Sequence, residues 1–234
     1  MKPPQLLSVI LPCRNQADHI GSVLEGYLDS LSAGTLPFEL VVVPNACTDK
    51  TVEVVGSLAS RDKRIRVIEN PKGGWGLSVR VGLQSAAGDL LCYTNTARTD
   101  PASLPAFVQQ CIDQGPCLVK ASRKKRAAPL REFGSMLYNL EALLIHGVKV
   151  HDVNGTPKVF SRDLYIAIPL ASDGDLLDLE LMAKAARLGT RVIEIPTFGF
   201  SRHGGRSSTN LKSAWRMYAG ALTLNTSMPA SRAG

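Results

Sequence analysis

The chain has 234 residues, 44% hydrophobic and 20% charged, a composition that excludes a disordered, collagen-like or membrane-embedded body and suits one large domain in water. Its net charge of +7 favours an anionic partner such as a phosphorylated small molecule or a membrane surface. With 6% aromatic residues and no zinc-finger, helix-turn-helix or RNA-recognition signature, nucleic acid is not the partner expected.

The N-terminal "MKPPQLLSVILPCRNQ" carries one lysine and a short apolar run, without the longer apolar region and cleavage site of a signal peptide. No uninterrupted apolar run reaches the length of a membrane-spanning helix, so a cytoplasmic chain is expected, at most peripheral on the membrane. "LLSVILP" (6–12) and "FELVVVP" (38–44) are short β-branched runs ended by proline, which predicts strands buried on both faces of a parallel sheet. Between them Ile20, Val23, Leu24, Tyr27, Leu28 and Leu31 recur at helical spacing, completing a β-α-β unit. "TDKTVEVVGSLAS" then reads as a helix, "IRVIE" as a strand, "GLSVRVGLQSAAG" as a helix closed by Gly88, and "DLLCYT" as a strand. Beyond Asp100-Pro101 come a helix, "ASLPAFVQQCIDQG", and another strand, "CLVKAS".

From about residue 122 the rhythm changes to a basic run, "RKKRAAPLR", an amphipathic helix, "EFGSMLYNLEALLIHG", and the loop "VHDVNGTPK". Strand-like "VFS", the helix "DLLDLELMAKAARLG", the strand "RVIEIP" and a helix from Asn210 to about Leu224 follow. The pattern predicts an α/β fold, an open doubly wound, mostly parallel sheet with flanking helices and a ligand at the C-terminal strand ends. We expect a single domain over 1–234, with a ligand-binding half at 1–121, a second half at 122–210 and a C-terminal helix and tail at 211–234. Cys13, Cys47, Cys92, Cys111 and Cys117 are odd in number and lack C-x-x-C spacing, so they read as reduced thiols. Gly73-Gly74-Trp75-Gly76 does not have the G-x-G-x-x-G spacing and reads as a tight turn into a helix.

The order of motifs carries more than any one of them. "SVILPCRNQADHI" resembles a strand with a P-x-x-N-E turn, "ELVVVPNACTDKTVEVV" a V-V-D-D-G-S-T-D-G-T segment, and "NPKGGWGLSVRVGLQSAAGD" a G-K-G-x-A-x-x-x-G-L-x-x-A-x-G-D helix. "CYTNTARTDP" takes the place of a D-x-D segment, "KASRKKR" that of G-S-R, and "HDVNGTPKVFSRDLY" that of D-x-x-S-G-F-R-x-F-R-R. "DLLDLELMAKAARLGTRVIEIPTFGFSRHGGRSS" is similar to a final F-D-x-E-L-L to R-x-x-G-x-S-K portion. The series, over about residues 7 to 210, resembles the family-2 inverting glycosyltransferases of GT-A fold, in particular polyprenyl-phosphate sugar synthases of the dolichyl-phosphate-mannose-synthase type.

That resemblance implies a nucleotide-sugar donor bound by Pro12, Arg14, Gln16, Asn45, Asp49, Trp75, Asn95 and Ala97, and a lipid-phosphate acceptor such as a polyprenyl phosphate. It also implies catalytic carboxylates at Asp152, Asp178 and Glu180. Yet Asn95 and Ala97 stand where the D-x-D acids belong, Pro44 and Asn45 replace the paired acids of the second motif, and Gln16 stands for Glu. No cofactor is expected, a divalent metal included, because magnesium and manganese prefer carboxylate oxygens. Phosphate binding then falls to Arg98, Arg123, Lys158, Arg202, His203 and Arg206, the arginine fork suiting phosphate oxygens. Asp178 and Glu180 sit two apart, so helical spacing puts them on different faces and at least one at the surface. Two functional readings stay open: a metal-independent inverting glycosyltransferase, and a non-catalytic member of the fold that binds a sugar nucleotide, lipid phosphate or protein.

Overall fold

The computed structural model describes residues 4–98, 100–123, 129–198, 203 and 211–226. Strands β1 (Leu7–Cys13), β2 (Phe38–Pro44), β3 (Ile65–Val67), β4 (Leu90–Tyr93), β5 (Cys117–Arg123), β6 (Lys158–Ser161) and β7 (Arg191–Thr197) form a sheet in the order β3-β2-β1-β4-β6-β5-β7. Only β6 runs antiparallel to its neighbours, β4 and β5. Flanking it are α1 (Ile20–Ser32), α2 (Thr51–Arg61), α3 (Trp75–Ser85), α4 (Leu104–Gln114), α5 (Pro129–His146), α6 (Arg162–Ala167), α7 (Leu177–Arg187) and α8 (Leu211–Thr223).

The apolar strands are buried on both faces. Val9 and Leu11 on β1, with Leu40 and Val42 on β2, join α1 and α4 in one core, while Ile10, Val41 and Val43 join α3 and α7 in the other. Alternation thus divides a continuous apolar run between two cores, each fully buried valine or leucine contributing about 1.5–3 kcal/mol.

Local details differ from the sequence expectation for identifiable reasons. Helix α2 starts at Thr51 rather than at Thr48, because the Asp49 carboxylate accepts from the Thr51 amide and hydroxyl and holds 48–50 in a turn. Helix α3 ends at Ser85, so Gly88 does not close it. Instead Gly88 lies against β1, where a Cβ would stand 2.6 Å from the Leu6 carbonyl oxygen, and its N–H donates to Ser8 Oγ. The short α6 has no counterpart in the sequence reading; Ser161 caps it by accepting from the Leu164 N–H. All five cysteines are free.

Candidate active site

The C-terminal ends of β1, β2 and β4 converge with the N-terminus of α3. The Pro12 carbonyl accepts from Thr96 Oγ1 at 3.0 Å, tying the turn after β4 to the end of β1. Gln16 is buried, its N–H donating to Thr51 Oγ1, and Asp49 reaches back to the Ala17 N–H at 3.1 Å. Burial pushes the Asp49 carboxyl up, but its hydrogen bonds to Thr51 and Ala17 outweigh this and hold it below the usual carboxylate range. Arg14 and Asn15 are exposed just past the strand end.

Two backbones in this cleft are strained. Asn15 has φ 49° and Ala46 φ 44°, in the left-handed region, and Ala46 falls where the resembling motif has glycine. Cross-loop bonds hold them: Asn15 Oδ1 accepts from the Thr48 N–H at 2.8 Å, and the Ala46 N–H donates to the Asn70 carbonyl at 2.9 Å. Gly73 and Gly74 turn the chain into α3 with φ 74° and 104°, as the tight-turn reading expected. Buried Gln16 Oε1 and Asn45 Oδ1 have no hydrogen-bond partner, so both amide oxygens are acceptors in reserve.

On the turn after β4, Asn95 Oδ1 accepts from the Ala97 N–H at 2.8 Å, closing an Asx turn, and Ala97 is 4% exposed. Arg98 is exposed, its N–H on the Asn95 carbonyl. The His203 N–H donates to the Ala97 carbonyl at 3.0 Å, and its ring lies 6.4 Å from that of His19. His203 itself therefore sits against the altered D-x-D position. Arg202 and Arg206, two of the residues expected to bind phosphate, lie outside the described residues. The resembling family implies a divalent cation here. An amide oxygen already used in a turn and a buried methyl are the wrong donors for one, and among the described residues no group of three or more His, Cys, Asp or Glu could hold a metal.

The acceptor-side residues form a buried network. Asp178 accepts from Tyr93 Oη at 2.7 Å, from Trp75 Nε1 at 3.2 Å and from Lys158 Nζ. Trp75 thus opens α3 with its indole tied inward, edge-on to Tyr93. Burial lowers the Lys158 pKa despite Asp178, and burial, with Asp178 second, raises that of Tyr93 well above its ordinary value. Asp152 binds Arg123 as a fork, Oδ2 to Nε at 2.6 Å and Oδ1 to Nη2 at 2.8 Å. Glu180 accepts from Lys184 Nζ at 2.7 Å and from the Ala171 and Ser172 N–H groups at 2.9 and 2.8 Å.

The expectation that helical spacing puts Asp178 or Glu180 at the surface does not hold. Every residue from Leu177 to Ala185 is buried, because α7 is covered on all sides, and both carboxylates meet internal donors. Lys158 is likewise fully buried, and the Arg123 guanidinium is occupied by Asp152. Sequence reasoning missed Tyr93, Lys120 and Glu194. Tyr93, Lys158, Lys120 and Glu194 are successive register partners across β4, β6, β5 and β7, a polar row through the second half of the sheet. Burial and neighbouring Lys158 push Lys120 down to about 8 against the pull of Asp152 and Glu194. Its signal was visible as the lone lysine inside the apolar "CLVKAS".

Known proteins resemble this chain in sequence and in shape. An uncharacterized glycosyltransferase of Mycobacterium tuberculosis is 25% identical over 209 residues, 87% of this chain and 89% of its own. An undecaprenyl-phosphate 4-deoxy-4-formamido-L-arabinose transferase of Pseudomonas paraeruginosa is 25% identical over 205 residues, 86% of this chain and 56% of its own. Glucosyl-3-phosphoglycerate synthase from Mycobacterium tuberculosis, solved with Mn2+, uridine diphosphate and phosphoglyceric acid, superposes with a TM-score of 0.75 at 21% identity, over 97% of this chain and 80% of its own. That likeness shows the GT-A fold. The sequence model of glycosyl transferase family 2 matches residues 8–168, more than half of the chain, and this protein therefore belongs to that family and is a glycosyltransferase.

Proposed function

We propose that this protein moves a sugar, with inversion, from a nucleotide-sugar donor to a polyprenyl phosphate, and that protein cations do the work of the usual divalent metal. The observation that carries the reading is the His203 N–H on the Ala97 carbonyl, which puts that one residue of "SRHGGRSS" at the altered D-x-D turn. Arg202 and Arg206 of that segment, with Arg98 in the turn, would neutralise the departing diphosphate. Gln16 Oε1 and Asn45 Oδ1 would accept N–H groups of the nucleoside.

The buried carboxylates bear on the acceptor. An alcohol needs a base to remove its proton, whereas a phosphate monoester reaches the site with an anionic oxygen. With Asp152, Asp178 and Glu180 engaged by Arg123, Lys158 and Lys184, an acceptor that needs no base fits best. The acceptor oxygen then bonds to the anomeric carbon as that carbon's bond to the diphosphate oxygen breaks on the opposite face. Asp178 and Glu180 act by holding α3 and the 171–172 segment in place.

Calorimetric titration with uridine and guanosine diphosphates and their sugar conjugates, in manganese and then in excess chelator, tests this. Binding that survives the chelator is expected, followed by transfer to a short-chain polyprenyl phosphate from the donor that binds. Binding seen only with manganese would overturn the cation substitution; donor binding without turnover would leave a sugar-nucleotide-binding member of the fold.

A further inference from the structure

Helix α5 is apolar on two sides, but only one of them is covered. Tyr138 and Ala142 are buried, Tyr138 packing edge-on against Tyr218 of α8, and His146 Nε2 meets the Ala221 carbonyl at 2.8 Å. The other side carries Met136, Leu137, Leu140, Leu143, Leu144 and Ile145, all exposed, with Leu144 at 76%. Spacings of three and four residues put Met136, Leu140, Leu143 and Leu144 in one stripe. A run of this length is more than the scattered leucine or isoleucine that a soluble surface ordinarily tolerates.

The stripe borders a groove of about 730 Å³, whose other wall is formed by Val148 and Val150. The cations lining it are Arg123, which is held by Asp152, and the exposed Lys149; the exposed His151 also lines it, its ring nitrogen 2.8 Å from the Glu194 carboxylate. In the sequence, Lys124, Lys125 and Arg126 fall in the short connection between β5 and α5, and the whole chain carries a net charge of +7. A second copy of the chain would bring like charges together at this face. An anionic bilayer supplies both what the stripe lacks, an apolar medium, and what the flanking cations attract, phosphate headgroups. No helix among the described residues is long and apolar enough to cross a membrane, so the helix would lie in the interface.

We propose that the exposed face of α5 and its groove are a docking surface for an anionic lipid bilayer, with the stripe in the boundary between headgroups and acyl chains and Lys149 at the phosphates. This goes beyond the donor-site reading, because docking requires no sugar nucleotide, and it brings the acceptor-side half of the sheet to the surface where a lipid phosphate resides.

Flotation of the purified full chain with vesicles of phosphatidylcholine, and of phosphatidylcholine mixed with phosphatidylglycerol, tests the surface. Capture by the anionic vesicles that weakens with added salt is expected. Leu140→Glu with Leu144→Glu, both at exposed positions, should cut capture by about tenfold, with thermal melting and nucleotide affinity unchanged. Lys149→Glu should lower capture at low salt and converge on the parent at high salt. A parent chain that stays soluble with anionic vesicles, or a double variant captured as well as the parent, overturns the proposal. A dimer in sedimentation that the double variant makes monomeric, with no vesicle capture by either, would assign the face to a second copy.

Discussion

Glu180, which the motif order singles out for chemistry, is held by internal donors. Burial pushes its carboxyl up, but Lys184 and the Ser172 and Ala171 amides more than offset this and hold it below the usual carboxylate range. A carboxyl held low in the fold contributes stability above its unfolded pKa, about 4.5, and loses it as pH falls through the depressed folded value. Glu180→Gln is therefore expected to cost about 3 kcal/mol near neutral pH, since it leaves Lys184 buried without its counter-ion. The deficit should shrink as the medium is acidified past the parent's own titration. Urea unfolding of both chains across that range measures it; a deficit independent of pH would mean that Glu180 acts by packing alone. The motif order pointed to Glu180 and Asp178, but spacing misjudged their surroundings. A two-residue offset says which sides of a helix they occupy, not how many sides the fold covers.

At the scale of elements, the strands were legible because parallel strands buried on both faces leave an uninterrupted apolar signature. What the apolar pattern could not convey is the packing of α3 against the segment before α7. A Cβ on Gly76 would stand 2.4 Å from the Ser172 carbonyl oxygen and 2.6 Å from that of Gly174, and the Leu77 N–H donates to the Asp173 carbonyl at 2.9 Å. That contact sets where α3 begins and so where Trp75 sits beside Asp178. Gly76→Ala must move backbone rather than a flexible side-chain end, and is expected to destabilise by about 2 kcal/mol and weaken donor binding together. Thermal melting combined with nucleotide titration checks this. A variant that melts earlier but binds nucleotide as the parent does would separate the α3 contact from the donor cleft.

Across the whole molecule the two halves of the sheet differ in kind. Ile10 and Val41 continue, as apolar register partners on β1 and β2, the line that Tyr93, Lys158, Lys120 and Glu194 make polar on the other side. The sequence revealed the fold and the missing acids, since both lie in residue types and their order. It could not reveal that the retained carboxylates are paired inside: the partners of Asp178 and Asp152 come from strands distant in sequence, and although Lys184 lies one turn beyond Glu180, that spacing does not tell that α7 is buried. The turn at 95–98 holds the remaining question, whether its frame still suits a metal-bound diphosphate. Asn95→Asp would keep an oxygen acceptor for the Ala97 amide, but Ala97→Asp would place a carboxylate where a methyl is now 4% exposed. An unpaired carboxylate there costs several kcal/mol unless a cation neutralises it. The double variant is therefore expected to melt below the parent in chelator and to recover in manganese, whereas the parent melts alike in both. The recovery should grow with manganese concentration, as linkage to the folded state requires, and further with uridine or guanosine diphosphate present. If manganese leaves the double variant's melting unchanged with and without diphosphate, the turn has lost the geometry of a metal site along with its acids.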